Sequence, residues 1–224
     1  MALTLYLHPL ASFCHKVMIA LYETGTPFEA KIVDLMDPRE HARYLEVWPA
    51  GKIPVLHDGA RDRTVPETSI IIEYLDRLYP GGEPLIPQEE EQALEARLWD
   101  RFFDLYVQVP MQKIVTDTLR AAGENDSRGV ADARAVLKTA YDMAERQLAG
   151  KTFAIGERFS IADCAAAPAL FYAGIVEPFG AGHVNLSAYF ERLVERPSFA
   201  RVLAEARPYF DMFPYREAIP PRFL

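Results

Sequence analysis

Strand signals end near residue 80 of this 224-residue chain, and helical signals alone continue to its end. That change of pattern limits the fold to a small α/β unit followed by an all-helical one. Leu3, Leu5 and Leu7 alternate with Thr4, Tyr6 and His8, which predicts a half-buried strand over 3–7. Phe13, Val17, Ala20 and Leu21 share one face of a helix over 12–24, and Thr24-Gly25-Thr26-Pro27 breaks it. Phe28, Ala30 and Ile32 alternate in a second strand, and Asp37-Pro38-Arg39 opens a short helix ending near Trp48-Pro49. Val55 and Leu56 predict a brief strand, turned by His57-Asp58-Gly59 towards Thr64-Val65. Ser69 to Leu78 reads as a helix, so the order is β-α-β-α-β-β-α.

Pro80-Gly81-Gly82-Glu83-Pro84 through Pro87 has linker composition. The predicted units are therefore 1–80 and 89–224, joined by 81–88. Leu94, Leu98, Phe102, Leu105 and Val109 lie about one turn apart in a long helix over 88–120, which Pro110 should kink. Gly123 to Gly129 predicts a polar break. A second long helix then runs from Val130 to Leu148, closed by Gly150. Three shorter helices are expected near 160–173, 186–195 and 198–206, before an irregular end with four prolines.

Half of the residues are apolar and a quarter charged, enough for a core without disulfide staples. The net charge of −8 argues against a nucleic-acid or anionic-membrane surface. No apolar run is long enough to span a bilayer, and Met1-Ala2-Leu3-Thr4 lacks the basic start of a signal peptide. The cysteines, Cys14 and Cys164, have no metal or disulfide spacing, and the five histidines are scattered. A cytoplasmic protein without a catalytic metal is the expectation.

The first strand–helix turn carries the chemistry. Pro9 ends the strand, and Ser12 is a good N-cap residue. A helix start offers unpaired N–H groups and a positive dipole end, which favour a sulfur anion. That sulfur could belong to Cys14 or to a bound thiol. Equally, Ser12 could only cap and Cys14 only pack. His15 and Lys16 read as a solvated helix face.

With these elements in order, the chain resembles the glutathione transferase superfamily over nearly its whole length. Four motifs carry the resemblance: Ser12-Phe13-Cys14, Ala50-Gly51-Lys52-Ile53-Pro54-Val55-Leu56, Val65-Pro66-Glu67-Thr68-Ser69-Ile70, and Phe159-Ser160-Ile161-Ala162-Asp163. The resemblance implies a thioredoxin-like α/β N-terminal domain, an all-α C-terminal domain, and glutathione as co-substrate. It implies a cis bond before Pro54, with Ile53 offering its backbone to the cysteinyl part of glutathione. Glu67 would be the counter-ion of the γ-glutamyl ammonium, and Thr68 would hold its carboxylate. Lys52, helped by His41, would take the glycyl carboxylate. Ser160 and Asp163 would form a capping box, stapled by Phe159 against Cys164, leaving Cys164 structural.

The chain also departs from the family pattern. The catalytic tyrosine of several classes has no clear counterpart, and Tyr6 lies inside the strand. Counting back from Val17 leaves two placements: Ser12 in the catalytic slot, or Ala11 there with Ser12 one residue later. Cys14 falls one turn deeper than the cysteine of a thiol-exchange class. The activity implied is attack of glutathione sulfur on a small hydrophobic electrophile, with Phe102, Phe103, Tyr106, Val107 and Met111 as pocket residues. Glutathione-dependent isomerisation, thiol transfer, and a non-catalytic binding module remain alternatives. A homodimer is implied, pairing the small domain of one chain with the helical domain of the other.

Overall fold

The computed structural model describes residues 3–224; Met1 and Ala2, on which the expected lack of a signal peptide partly rests, lie outside them. Four strands form one mixed sheet: β1 (Leu3–Leu7), β2 (Glu29–Ile32), β3 (Val55–Asp58) and β4 (Arg63–Pro66). Their order is β2-β1-β3-β4, with β1 parallel to β2 and antiparallel to β3, and β4 antiparallel to β3. The period-2 pattern puts Leu3, Leu5 and Leu7 into the main core. Tyr6 faces the other side, where α2 (Pro38–Val47) covers it with Tyr44, Val47 and Trp48. The first face is covered by α1 (Ser12–Thr24) and α3 (Thr68–Leu78). Gly25 ends α1 at φ 65°, a left-handed C-cap suited to glycine.

The segment after α3 is pinned. The Asp76 carboxylate accepts from Leu85 N at 3.1 Å and Ile86 N at 2.9 Å, and Leu85 O accepts from Ile161 N at 2.8 Å. Then follow α4 (Glu90–Phe102), a π turn (Phe103–Gln108), α5 (Val109–Asp117), α6 (Ser127–Gln147), α7 (Ile161–Val176), α8 (Val184–Glu195) and α9 (Pro197–Ala206). Three 3₁₀ turns finish the chain. The expected disturbance at Pro110 takes the form of the π turn just before it. Proline lacks an N–H, so looser winding upstream accommodates the missing bond. Gly129 lies inside α6, so the expected break ends earlier: Asp126 caps the helix and accepts from Gly129 N at 2.8 Å. No helix among the described residues is long and apolar enough to cross a membrane.

The central helix of the second half is α7, buried on all sides and packed against α1. Its start carries the capping box. Asp163 accepts from Ser160 N at 2.8 Å and Ser160 Oγ at 2.9 Å, and also from Ala154 N at 2.9 Å and Tyr189 Oη at 2.6 Å. Burial raises its pKa against the pull of those bonds. Asp163→Ala would strand buried donors as well as remove a cap. We expect it to lower stability by about 2–3 kcal/mol, measured by denaturant unfolding.

The solvated face expected at His15 and Lys16 is instead fully buried. The reason is tertiary: α1 is covered by α3, α7 and α9, and Asp104 and Gln108 of the π turn reach it with their side chains. Lys16 Nζ lies 2.6 Å from Asp100 and 2.7 Å from Asp104 and donates to Ser69 Oγ at 3.0 Å. Ser69 Oγ donates to Asp100 at 2.6 Å, and Arg101 caps Asp104 from the rim. This cluster joins the two halves.

Candidate active site

The loop from His8 to Ala11 is fixed at each carbonyl. His8 O accepts from Ala11 N at 2.9 Å, and Leu10 O from Tyr172 Oη at 2.8 Å. Pro9 O accepts from His15 Nε2 at 2.5 Å. Burial pushes the His15 imidazole down to about 4, so it stays neutral and keeps its one hydrogen for Pro9. These bonds hold the start of α1 rigid. The N-cap is Ala11, with no side-chain cap bond, and Ser12 is the first helical residue. This corrects the capping role expected of Ser12. Ala11 O accepts from Cys14 N and His15 N, whereas Ser12 N and Phe13 N have no acceptor among the described residues. The Ser12 side chain is buried, and its Oγ accepts from Gln108 Nε2.

A second helix start lies nearby. Glu67 precedes α3 at φ 67°, a left-handed conformation that costs a non-glycine residue energy. Its exposed carboxylate has no partner among the described residues. The Ile53–Pro54 peptide is cis. The turn before it is held by Tyr44 Oη, which donates to Lys52 O at 2.6 Å. Gly51 sits at φ 65°, and a Cβ there would come within 3.1 Å of His41 Nε2.

Two cavities open on this region. One of about 260 Å³, the more polar of the two, is lined by Lys52, Ile53, Pro54, Pro66, Glu67 and Thr68 from the first half and by Arg101, Asp104, Leu105, Val109 and Gln112 from the second, with Phe13 and Trp48. An apolar one of about 420 Å³ is lined by Ala11, Ser12, Leu10, Val33, Leu35, Met36, Met111, Val115, Leu119, Tyr172, Met212, Phe213 and Pro214, with His8, Asp34 and Thr116 as polar members. Ile53 and Gln112 border both, so the cavities adjoin.

The structure thus gathers Lys52, Ile53, Pro54, Glu67 and Thr68 into one cavity and sets Ser12 beside them in the next. His41 is not among them: the register of α2 turns it against Gly51, outside the cavity lining. Cys14 is fully buried, and burial pushes its thiol up to about 12, which makes it a packing residue rather than a nucleophile. Tyr6 packs against Tyr44, away from both cavities.

Of the expected pocket residues only Met111 lines the apolar cavity. Phe102 and Phe103 are buried in an aromatic cluster with Trp99, and Val107 is core. Tyr106 is exposed beside α6. The α4–α5 helix turns another face inward. Asp100, Asp104, Gln108 and Gln112, spaced by four, point at α1 and the cavities, while Leu94 and Leu98 are exposed away from them and Leu105 and Val109, also exposed, lie at the rim of the polar cavity. That polar stripe is a signal present in the sequence, overshadowed there by the apolar one.

Family comparison agrees with this architecture. The glutathione S-transferase N-terminal domain matches residues 11–78, and the C-terminal domain residues 102–197. Glutathione S-transferase U25 of Arabidopsis thaliana is 31% identical over 209 residues, covering 90% of this chain and 89% of that protein. A stringent starvation protein A homolog of Pasteurella multocida is 30% identical over 213 residues, covering 92% of each. Among solved structures, a glutathione S-transferase of Methylobacterium radiotolerans in complex with glutathione sulfonate has a TM-score of 0.77 at 27% identity, covering 89% of this chain and 93% of that one. With both domains matched and relatives spanning nearly its full length, the chain belongs to the glutathione S-transferase family.

Proposed function

We propose that this transferase conjugates the thiolate of glutathione to small apolar electrophiles. The observation that carries the reading is the adjoining pair of cavities, one polar and one apolar, with Ser12 and the α1 N-terminus on the apolar side of their border. Glutathione fits the polar cavity with its γ-glutamyl end at Glu67 and Thr68, its cysteinyl backbone against Ile53, and its glycyl carboxylate towards Lys52. The electrophile fits the apolar cavity. A relative of known structure holds glutathione sulfonate, which supports the same ligand class here.

A free thiol has a pKa of about 8.5, so lowering it by about two units requires roughly 2.7 kcal/mol of differential stabilisation. The Ser12 hydroxyl and the unpaired Ser12 and Phe13 N–H groups are the donors available for this. Ser12→Ala should therefore lower conjugation about fivefold near pH 6.5, with recovery as pH rises and the thiol ionises unaided. Cys14→Ala should change stability by about 1 kcal/mol through packing and leave turnover intact. Steady-state rates of both variants across pH check the pair.

A glutathione affinity column tests the reading itself, with retention expected. The second reading, a non-catalytic binding module, draws on the likeness to the stringent starvation protein A homolog and predicts flow-through. Turnover of a chloronitrobenzene, as against a mixed disulfide or a maleyl acid, separates conjugation from thiol transfer and isomerisation.

The working unit in this reading is a homodimer. Ile70 on α3 and Leu94 and Leu98 on α4 are large apolar side chains left exposed by the single chain. Covering them favours association of the small domain of one copy with the helical domain of another. Light scattering should give about twice the chain mass of 25.3 kDa.

A further inference from the structure

Gln108 ends the π turn and is buried against α1. Its amide nitrogen donates to Ser12 Oγ. Its amide oxygen, also buried, meets no donor. Buried amides are generally satisfied at both ends, so this half-satisfied glutamine calls for a reason. Its placement is enforced: Asp104 and Gln108, four apart, meet Lys16 and Ser12, four apart on α1. The buried Lys16–Asp104 pair therefore sets the register in which Gln108 reaches Ser12.

The polarity of that bond matters. Ser12 Oγ acts as acceptor, and no group among the described residues accepts its proton. Were the glutamine oxygen turned to Ser12 instead, the hydroxyl proton would be spent on the protein. We propose that Gln108 is a positioning residue for Ser12. Its N–H occupies a lone pair of the hydroxyl oxygen, fixes the rotamer, and leaves the O–H to donate to the sulfur of bound glutathione. A hydroxyl that accepts one hydrogen bond is also a better donor of the next. This role rests on Ser12 being the partner of the thiol.

Thiolate absorbance of bound glutathione, followed with pH, is the test. The variants are Ser12→Ala, Gln108→Met, Gln108→Glu and the double variant Ser12→Ala/Gln108→Met. Affinity for S-methylglutathione, which has no ionisable thiol, is measured alongside. Ser12→Ala and Gln108→Met should each raise the apparent thiol pKa by about one unit, a roughly fivefold loss of thiolate near pH 6.5. The double variant should shift no further than either single one, since both remove the same device. Gln108→Glu presents only acceptors at about the same size. It should shift the pKa at least as far, and it tests the same role where Gln108→Met does not fold. Affinity for S-methylglutathione should stay within about twofold throughout.

Unchanged ionisation in both Gln108 variants, beside a shifted Ser12→Ala, overturns the role of Gln108 alone. So do additive shifts in the double variant, which a merely structural glutamine would give. An unshifted Ser12→Ala overturns the serine reading itself, and absent affinity for S-methylglutathione in wild type overturns the glutathione site.

Discussion

Glu67→Ala is expected to weaken glutathione binding about 10- to 100-fold, the loss typical of one partner of a charge-assisted hydrogen bond. The carboxylate is exposed, lines the polar cavity, and has no partner among the described residues, so its removal strands nothing inside the fold. Its backbone gives a second handle. At φ 67° the residue holds a conformation that glycine adopts freely and alanine does not. Glu67→Gly should lose binding to the same extent while gaining stability, by about 0.5–1 kcal/mol or more, relative to Glu67→Ala. Calorimetry with glutathione and a denaturant titration of each variant separate the two effects. Equal affinity of wild type and Glu67→Ala would remove Glu67 from the site.

Lys16→Met should produce the largest loss of stability, about 3–5 kcal/mol near neutral pH, because it leaves Asp100 and Asp104 buried without their central cation. Arg101 offers partial relief only, since it approaches from the exposed rim. Lys16 has its own pH signature. Burial lowers its pKa to about 8, opposed by Asp100. The unfolded chain keeps the ordinary value of 10.5, so between these values the unfolded state binds more protons. The contribution of Lys16 to stability therefore rises from about pH 8 to about 10.5, and Lys16→Met should abolish that rise. Unfolding midpoints in denaturant across this range check both statements. A variant as stable as wild type at neutral pH would show that the cluster does not hold the halves together.

Local pattern is enough for most elements. The alternation of Leu3, Leu5 and Leu7 locates β1, and Gly25 locates the end of α1. The Ser160/Asp163 box locates the start of α7. Each is decided within one turn or one strand, so sequence neighbours suffice. The same holds for the motif Lys52-Ile53-Pro54 and for Glu67-Thr68, whose backbone requirements are local. Where local pattern misleads, the deciding contact lies far along the chain. Serine favours the N-cap, which points Ser12 to that role, yet Gln108, 96 residues later, takes its hydroxyl. Lysine is normally exposed, which points Lys16 to solvent, yet Asp104, 88 residues later, compensates its burial.

The α4–α5 helix shows the division most clearly. Its sequence carries two stripes, an apolar one through Leu94, Leu98, Phe102, Leu105 and Val109 and a polar one through Asp100, Asp104, Gln108 and Gln112. Periodicity determines that this segment is a helix, because both stripes repeat at helical spacing. It cannot determine which stripe faces inward, because that depends on what the neighbouring helix presents. Here α1 presents Lys16 and Ser12, so the polar stripe is drawn in, while of the apolar stripe Phe102 is buried and Leu94 and Leu98 are left outside. The sequence alone determined the elements, their order and the glutathione-transferase framework. The tertiary structure decided which helix face meets which, and with it the walls of the apolar cavity and the surroundings of Ser12, because burial energy belongs to pairs of surfaces and not to either one alone.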